Sequence, residues 1–193
     1  MKSIRTFWII VTVIIGFSTN AMAQKIKFME GNKAALAAID AIAIVYEYDN
    51  MAVGKYEKES DFIDKKKTDY NNKEAGKGNK WEKEWKGDRK ERYQPQFEEL
   101  FAKHSKVKIS NTAPYKMIVK TFFTEPGYNI HISRKNASIS GEVWILDNTG
   151  KVIAKLSFVN APGRSFGGYD YDTGFRIQEA YAALGKSLAK YFK

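Results

Sequence analysis

The stretch Ala137 to Phe158, ASISGEVWILDNTGKVIAKLSF, decides the fold. Both halves, Ala137 to Asp147 and Lys151 to Phe158, alternate apolar and polar residues with a period of two, the pattern of half-buried strands. Asn148-Thr149-Gly150 joins them with glycine where a tight reversal needs positive φ, so the pair reads as a β-hairpin. Upstream, Tyr115, Met117, Val119, Thr121 and Phe123 alternate with Lys116, Ile118, Lys120 and Phe122, a strand closed by Glu125-Pro126-Gly127. Tyr128 to Ser133 extends it after the turn, with Ile130 and Ile132 on one face. Further upstream, Ala41 to Tyr48 (AIAIVYEY) places Ile42, Ile44, Tyr46 and Tyr48 on one face and reads as the first strand. Lys33 to Asp40 is alanine-rich and suits either a short helix or an extension of that strand.

Downstream of the hairpin, Ala161 to Tyr171 is glycine-rich and irregular. Asp172 or Thr173 then caps a terminal helix whose Ile177, Tyr181, Leu184, Leu188 and Tyr191 recur at three- and four-residue spacing. Such a stripe must bury against something, and the sheet is the large partner at hand. The expected fold is therefore α+β: a single mostly antiparallel sheet with helices on one face and a charged helical insertion after the first strand.

That insertion runs from residue 55 to 108 and holds 16 Lys or Arg and 12 Asp or Glu, with aromatic side chains set among the charges. Ser60 is placed to cap a helix with Phe62, Ile63 and Tyr70 on its apolar face, stopped by Asn71, Asn72 and Gly76-Lys77-Gly78. Trp81 and Trp85, four apart, share a face of a second short helix ended by Gly87. A third follows Tyr93, with Pro95 in its first turn and Phe97, Leu100, Phe101 and His104 along one side.

The amino terminus reads as a secretory signal over residues 1–23. Lys2 and Arg5 precede the uncharged run Phe7 to Phe17, and Ala21-Met22-Ala23 supplies a small-residue cleavage site before Gln24. Eleven uncharged residues are too few to span a bilayer as a helix, and removal of the leader lowers the net charge from +10 to +8. What remains is one expected α+β domain, residues 24–193, in the periplasm or secreted, with no stable membrane span.

Composition then narrows the chemistry. The chain has 193 residues, 12 Phe, 11 Tyr and 4 Trp, enough large side chains to build a core. It has no cysteine, which excludes disulfides, thiolate metal sites and cysteine nucleophiles, and its two histidines, His104 and His131, are far apart in sequence. Gly185-Lys186-Ser187 resembles the end of a phosphate loop, but Ala180 stands where the pattern needs glycine, and the triplet lies inside a helix. Asp170 and Asp172, among Gly167, Gly168 and Gly174, offer oxygens to a ligand yet miss the calcium-loop pattern, and an aspartate helix cap suits them better. No cofactor or metal is expected. Export argues against nucleic acid as the partner of the surplus lysine and leaves anionic envelope polymers or envelope proteins. Trp81, Trp85 and Tyr93 form the most suggestive ligand-binding group, because ring faces amid lysines can stack on a sugar or a peptide. The contrasting expectation is that these rings pin the insertion to the domain. A hydrolase, or a glycan- or lipid-modifying enzyme, with a site near 161–172 and including His131, is the competing functional expectation.

Five segments carry a resemblance: Val53-Gly54-Lys55, Gly78-Asn79-Lys80-Trp81, Tyr93-Gln94-Pro95-Gln96-Phe97, Thr124 to Ile130, and Asp172 to Tyr181. There the chain resembles a group of exported proteins from Bacteroidota, without an activity to carry over. In the order of its elements it is similar to the small α+β domains at the amino end of TolB and in outer-membrane lipoproteins of the curli-secretion and penicillin-binding-protein-activator kind. That likeness implies a non-enzymatic accessory domain that binds other envelope components; the lipidated cysteine of the lipoproteins is absent.

Overall fold

A computed structural model describes residues 24–130, 132–164 and 173–193. Residues 1–23, His131 and residues 165–172, with Asp170 and Asp172, lie outside the described residues. The expected hairpin is present as Ser138–Leu146 and Val152–Pro162. In chain order the strands are β1 (Lys25–Gly31), β2 (Ala41–Glu47), β3 (Ala52–Val53), β4 (Lys108–Ile109), β5 (Tyr115–Glu125), β6 (Tyr128–Ile130), β7 (Ser133–Lys135), β8 (Ser138–Leu146) and β9 (Val152–Pro162). The helices are α1 (Lys33–Ala37), α2 (Glu59–Asn71), α3 (Lys77–Asp88), α4 (Gln94–Ser105) and α5 (Thr173–Leu188), with a π-helical turn at Arg89–Tyr93 and a 3-10 turn at Ala189–Phe192.

The protein is α+β, but its seven-stranded sheet is mixed and not mostly antiparallel. Its path is β1-β9-β8-β5-β2-β4, with β3 beside β5. β1, β9, β8 and β5 pair antiparallel, while β2 runs parallel to both β4 and β5 and β3 runs parallel to β5. The physical reason is the insertion itself. A strand can lie parallel to its successor only if a long crossover returns the chain to the same end, and α2, α3 and α4 provide one. The first strand is also corrected: Lys25–Gly31 precedes Ala41–Glu47, so the charged insertion follows the second long strand. Lys25 and Lys27 are exposed there, while Ile26 and Phe28 turn towards Phe158 and Leu156.

One face of the sheet is the core. Ile42, Met117, Val119, Ile139, Val143, Ile145, Leu156 and Phe158 meet Ile177, Ala180, Tyr181, Leu184 and Leu188 of α5 and Phe97 and Phe101 of α4 in one apolar cluster. Alternation in β5 is correct up to Thr121, and then a β-bulge between Thr121 and Phe123 shifts the register. Thr124 is therefore buried in place of the expected Phe123, and Phe122 is exposed. The insertion departs from expectation at its boundaries. Lys58, not Ser60, precedes α2, and Gly87 does not end α3, which passes through the π turn into α4 with Pro95 in the first turn.

A layer of hydroxyl-bearing side chains crosses the core beneath the π turn. The Tyr181 and Thr121 hydroxyls are 2.7 Å apart, and the Tyr93 ring stacks on Tyr181 at 5.2 Å with an interplanar angle of 3°. Tyr46 donates to the Gln94 carbonyl and to Glu98 Oε1 at 3.2 Å. Burial raises the Glu98 pKa above its usual range, and the Tyr46 hydrogen bond opposes that only in part. A carboxyl that holds its proton to higher pH when folded costs stability as pH rises through that window. Glu98→Gln keeps the acceptor and removes the charge. It should raise the thermal midpoint at pH 7, and the gain should vanish in melts run below the unfolded carboxylate range.

Candidate functional site

α2 and α3 form an antiparallel helical hairpin reversed at Gly76, whose φ of +83° suits glycine. The two helices approach closely because Gly78 has no side chain: a Cβ there would lie 2.2 Å from the Lys67 carbonyl oxygen. Asn71 Oδ1 accepts from the Gly78 backbone N–H at 2.8 Å and ties the end of one helix to the start of the next. This geometry brings Tyr70, on the last turn of α2, beside Trp81 on α3, with ring centroids 5.8 Å apart and planes tilted by 38°.

The two rings wall a cleft of about 680 Å³ at the tip of the hairpin, lined also by Lys73, Glu74, Gly76, Lys77, Lys80 and Glu84. Trp81 is half-buried and backed by aromatic side chains. It stacks on Trp85 at 5.7 Å and meets the edge of Phe62 at 5.7 Å. Trp85 is itself fixed by an Nε1–H donated to Glu59 Oε1 at 2.5 Å, and Arg89 grips the same carboxylate while lying over the Tyr48 ring at 4.2 Å. Lys66 and Lys73 each sit 5.8 Å from the Tyr70 ring centre. The cleft thus offers a rigid aromatic wall whose exposed faces need no reordering to receive a ligand.

Charge around it is arranged in pairs with a basic excess. Lys77 bonds Glu74 at 3.0 Å and Lys80 lies 3.8 Å from Glu84, both exposed pairs worth little in water and readily exchanged for a ligand's anion. On the far side of α3, hydrogen bonds from Lys67 and Lys86 hold the Glu82 carboxyl down to about 2. Glu82 thus bridges α2 and α3 as an ion-paired carboxylate. Chemically, the cleft can stack a flat or C–H-rich face, take anionic groups on lysine and accept hydroxyl protons on its two glutamates.

Of the candidate residues from the sequence, Trp81 alone reaches this surface among those described. Trp85 and Tyr93 are buried, 5% and 4% exposed, and support the rings and the core without facing a ligand. The nominated Asp170 and Asp172 lie outside the described residues. His104 is half-buried at the end of α4, its pKa lowered by burial and by Lys186, Lys103 and Lys193. Sequence reading missed Tyr70 and the lysines as a group, although a glycine-marked reversal between Tyr70 and Trp81 was the signal that could have united them.

A second basic feature is structural. Arg176, 1% exposed in the first turn of α5, donates to the Pro126 carbonyl, the Gly127 carbonyl and Thr173 Oγ1. It clamps the turn after β5 against the helix. Among the described residues there is no cluster of His, Cys, Asp or Glu able to hold a metal ion, and no helix long and apolar enough to cross a membrane.

Fold and cleft together define an α+β domain with a mixed sheet and a helical hairpin that presents an aromatic, lysine-rimmed surface. No family model and no curated protein matches the chain. Among solved structures it is similar to the PelC dodecamer from Paraburkholderia phytofirmans in space group P6, with a TM-score of 0.36 at 13% identity. A single-residue variant of that dodecamer in space group C2 gives 0.38 at 13% identity; each match covers 84% of this chain and 98% of the other. These are distant structural neighbours, and no role is carried over from them. The resemblance to exported Bacteroidota proteins has no matching family behind it.

Proposed function

We propose that this protein is an exported, non-catalytic binding module that holds an anionic polymer in the cleft that Tyr70 and Trp81 wall on one side. The observation that carries the reading is the pair of half-buried rings 5.8 Å apart, held from behind by Trp85 and Phe62 and rimmed by Lys73, Lys77 and Lys80. Stacking on a ring costs little conformational entropy, and lysine supplies the attraction to carboxylate or phosphate along a chain. An acidic polysaccharide has both a C–H face for the rings and anions for the lysines, and its hydroxyls suit Glu74 and Glu84.

Titration of the chain from Gln24 onward with alginate, a polyuronate, and with neutral dextran tests this through tryptophan fluorescence and calorimetry. Alginate binding that weakens with salt is expected. Trp81→Ala and Tyr70→Ala should each weaken it about tenfold, equivalent to about 1.4 kcal/mol. Equal response to alginate and dextran, or indifference to both substitutions, would defeat the proposal. Export has its own check: protein recovered from the envelope or medium should begin at Gln24.

A further inference from the structure

The net positive charge of the domain is concentrated where α1, the end of α4 and the 3-10 turn after α5 meet. Residues 31–39, 100–107 and 180–193 contain Lys33, Lys103, Lys106, Lys186, Lys190 and Lys193 and no acidic side chain. Of the +8 carried by residues 24–193, these six lysines supply +6, so the rest of that chain is close to balance. The fold brings the three segments together. Phe101 on α4 meets Phe192 of the 3-10 turn edge to face with ring centroids 5.0 Å apart, and the same turn packs on α1. Lys186, Lys103 and Lys193 all lie close enough to His104 to add to the effect of burial and lower its pKa. Between α1 and the 3-10 turn opens a cleft of about 530 Å³ lined by Lys33, Lys190, Tyr191 and Lys193. All six lysines are exposed, and the ion pairs among the described residues include none of them. Lys33 lies 5.5 Å over the Phe28 ring, a contact that leaves its N–H donors available. Helix dipoles explain only part of the set: Lys103, Lys106 and Lys190 stand at helix carboxyl ends, where a cation is favoured, but Lys33 stands in the first turn of α1, where it is not.

We propose that this lysine surface binds a linear polyphosphate chain laid across the three segments. The composition of the surface selects this ligand. It has six lysines, no arginine and no exposed large apolar side chain. The aromatic ring lining its cleft, that of Tyr191, is already stacked on Phe28 at 6.5 Å and donates its hydroxyl to the Ile26 carbonyl at 3.3 Å. Apolar anchors and free ring faces, which hold a folded protein or a sugar, are therefore missing from these segments. Ammonium groups on flexible stems instead act as point charges for phosphate, and a chain of closely spaced anions gains by releasing its own counterions to them. The proposal shares no residue with the cleft of Tyr70 and Trp81 and is independent of it.

Calorimetric titration of the chain from Gln24 onward with linear polyphosphate tests it. Binding that weakens with salt is expected, and orthophosphate at equal phosphorus concentration should not displace the polymer. The triple variant Lys186→Gln, Lys190→Gln, Lys193→Gln should bind about tenfold more weakly, and its logarithmic salt slope should be shallower by about 2, because each contact with a single-stranded phosphate backbone contributes ~0.7. A control, Lys55→Gln, Lys83→Gln, Lys90→Gln, removes the same charge from exposed positions elsewhere and should weaken binding by no more than about twofold. All six substitutions are at exposed side chains, so both triple variants should melt with the wild type. Trp81→Ala should leave polyphosphate binding unchanged. Equal losses in the two triple variants would assign the attraction to overall charge and overturn the proposal. So would displacement by orthophosphate, loss of binding on Trp81→Ala, or indifference to polyphosphate in a protein that sediments with phosphatidylglycerol vesicles or pairs with an acidic protein.

Discussion

Leu184→Asp should leave the chain unfolded at room temperature, with helical circular dichroism lost and no cooperative urea transition. Leu184 is fully buried on the face of α5 that closes over β8 and β9. A carboxylate there either stays ionised without a partner or takes up a proton, and both options cost free energy on top of the lost apolar contacts. Leaving a buried charge uncompensated costs about 3–5 kcal/mol, a large part of the ~5–15 kcal/mol by which domains are stable. Ile177→Asp, two turns earlier on the same face, should do the same. Leu184→Met conserves volume and should cost less than about 1.5 kcal/mol. A Leu184→Asp protein that melts like the wild type would mean that α5 is not docked on the sheet.

Gly185→Val should be nearly as damaging, for a steric reason. α4 and α5 make the most extensive helix-to-helix contact in the fold, and Gly185 lies where their backbones meet. A Cβ at this position would stand 2.4 Å from the Phe97 carbonyl oxygen, a backbone atom that cannot swing aside. The helices must separate and loosen Phe97 and Phe101, which stack at 6.0 Å beneath them. Overpacking of this sort costs about 1–3 kcal/mol, and more where backbone must move. Gly87→Ala is the control. The nearest atom to its Cβ is the movable end of Glu91 at 3.5 Å, and alanine favours a helix over glycine by about 1 kcal/mol. Urea midpoints should therefore move in opposite directions for the two glycines; equal shifts would show that helix propensity, not the contact with Phe97, governs position 185. Gly185-Lys186-Ser187 thus owes its glycine to helix packing.

Several elements were readable because their signal is local. The hairpin of β8 and β9, the long strand β5, the stripe on α5 and the proline in the first turn of α4 each repeat within a few residues, and each is present. The period of β1 is equally local, since Lys25 and Lys27 alternate with Ile26 and Phe28. The length of the insertion between β2 and β5 permitted their parallel pairing without dictating it. The candidate site was harder to read. Trp81 and Trp85 share a helix face, yet one opens on solvent and the other is fixed on Glu59, a residue on a different helix. Tyr70 joined Trp81 only through the way α2 folds back on α3.

Period by itself determined β2, β5, β8, β9 and the stripe of α5, with the apolar side of each up to the bulge in β5, because side-chain direction along a chain is set by backbone geometry within one or two turns. Composition also excluded thiol chemistry. Only the tertiary structure decided the strand order, the bulge that buries Thr124, the need for glycine at 78 and 185 and the meeting of Tyr70 with Trp81. Backbone amides and carbonyls are the same in every strand, so a strand's neighbours are selected by loop connections and by the competition of whole apolar faces for one core.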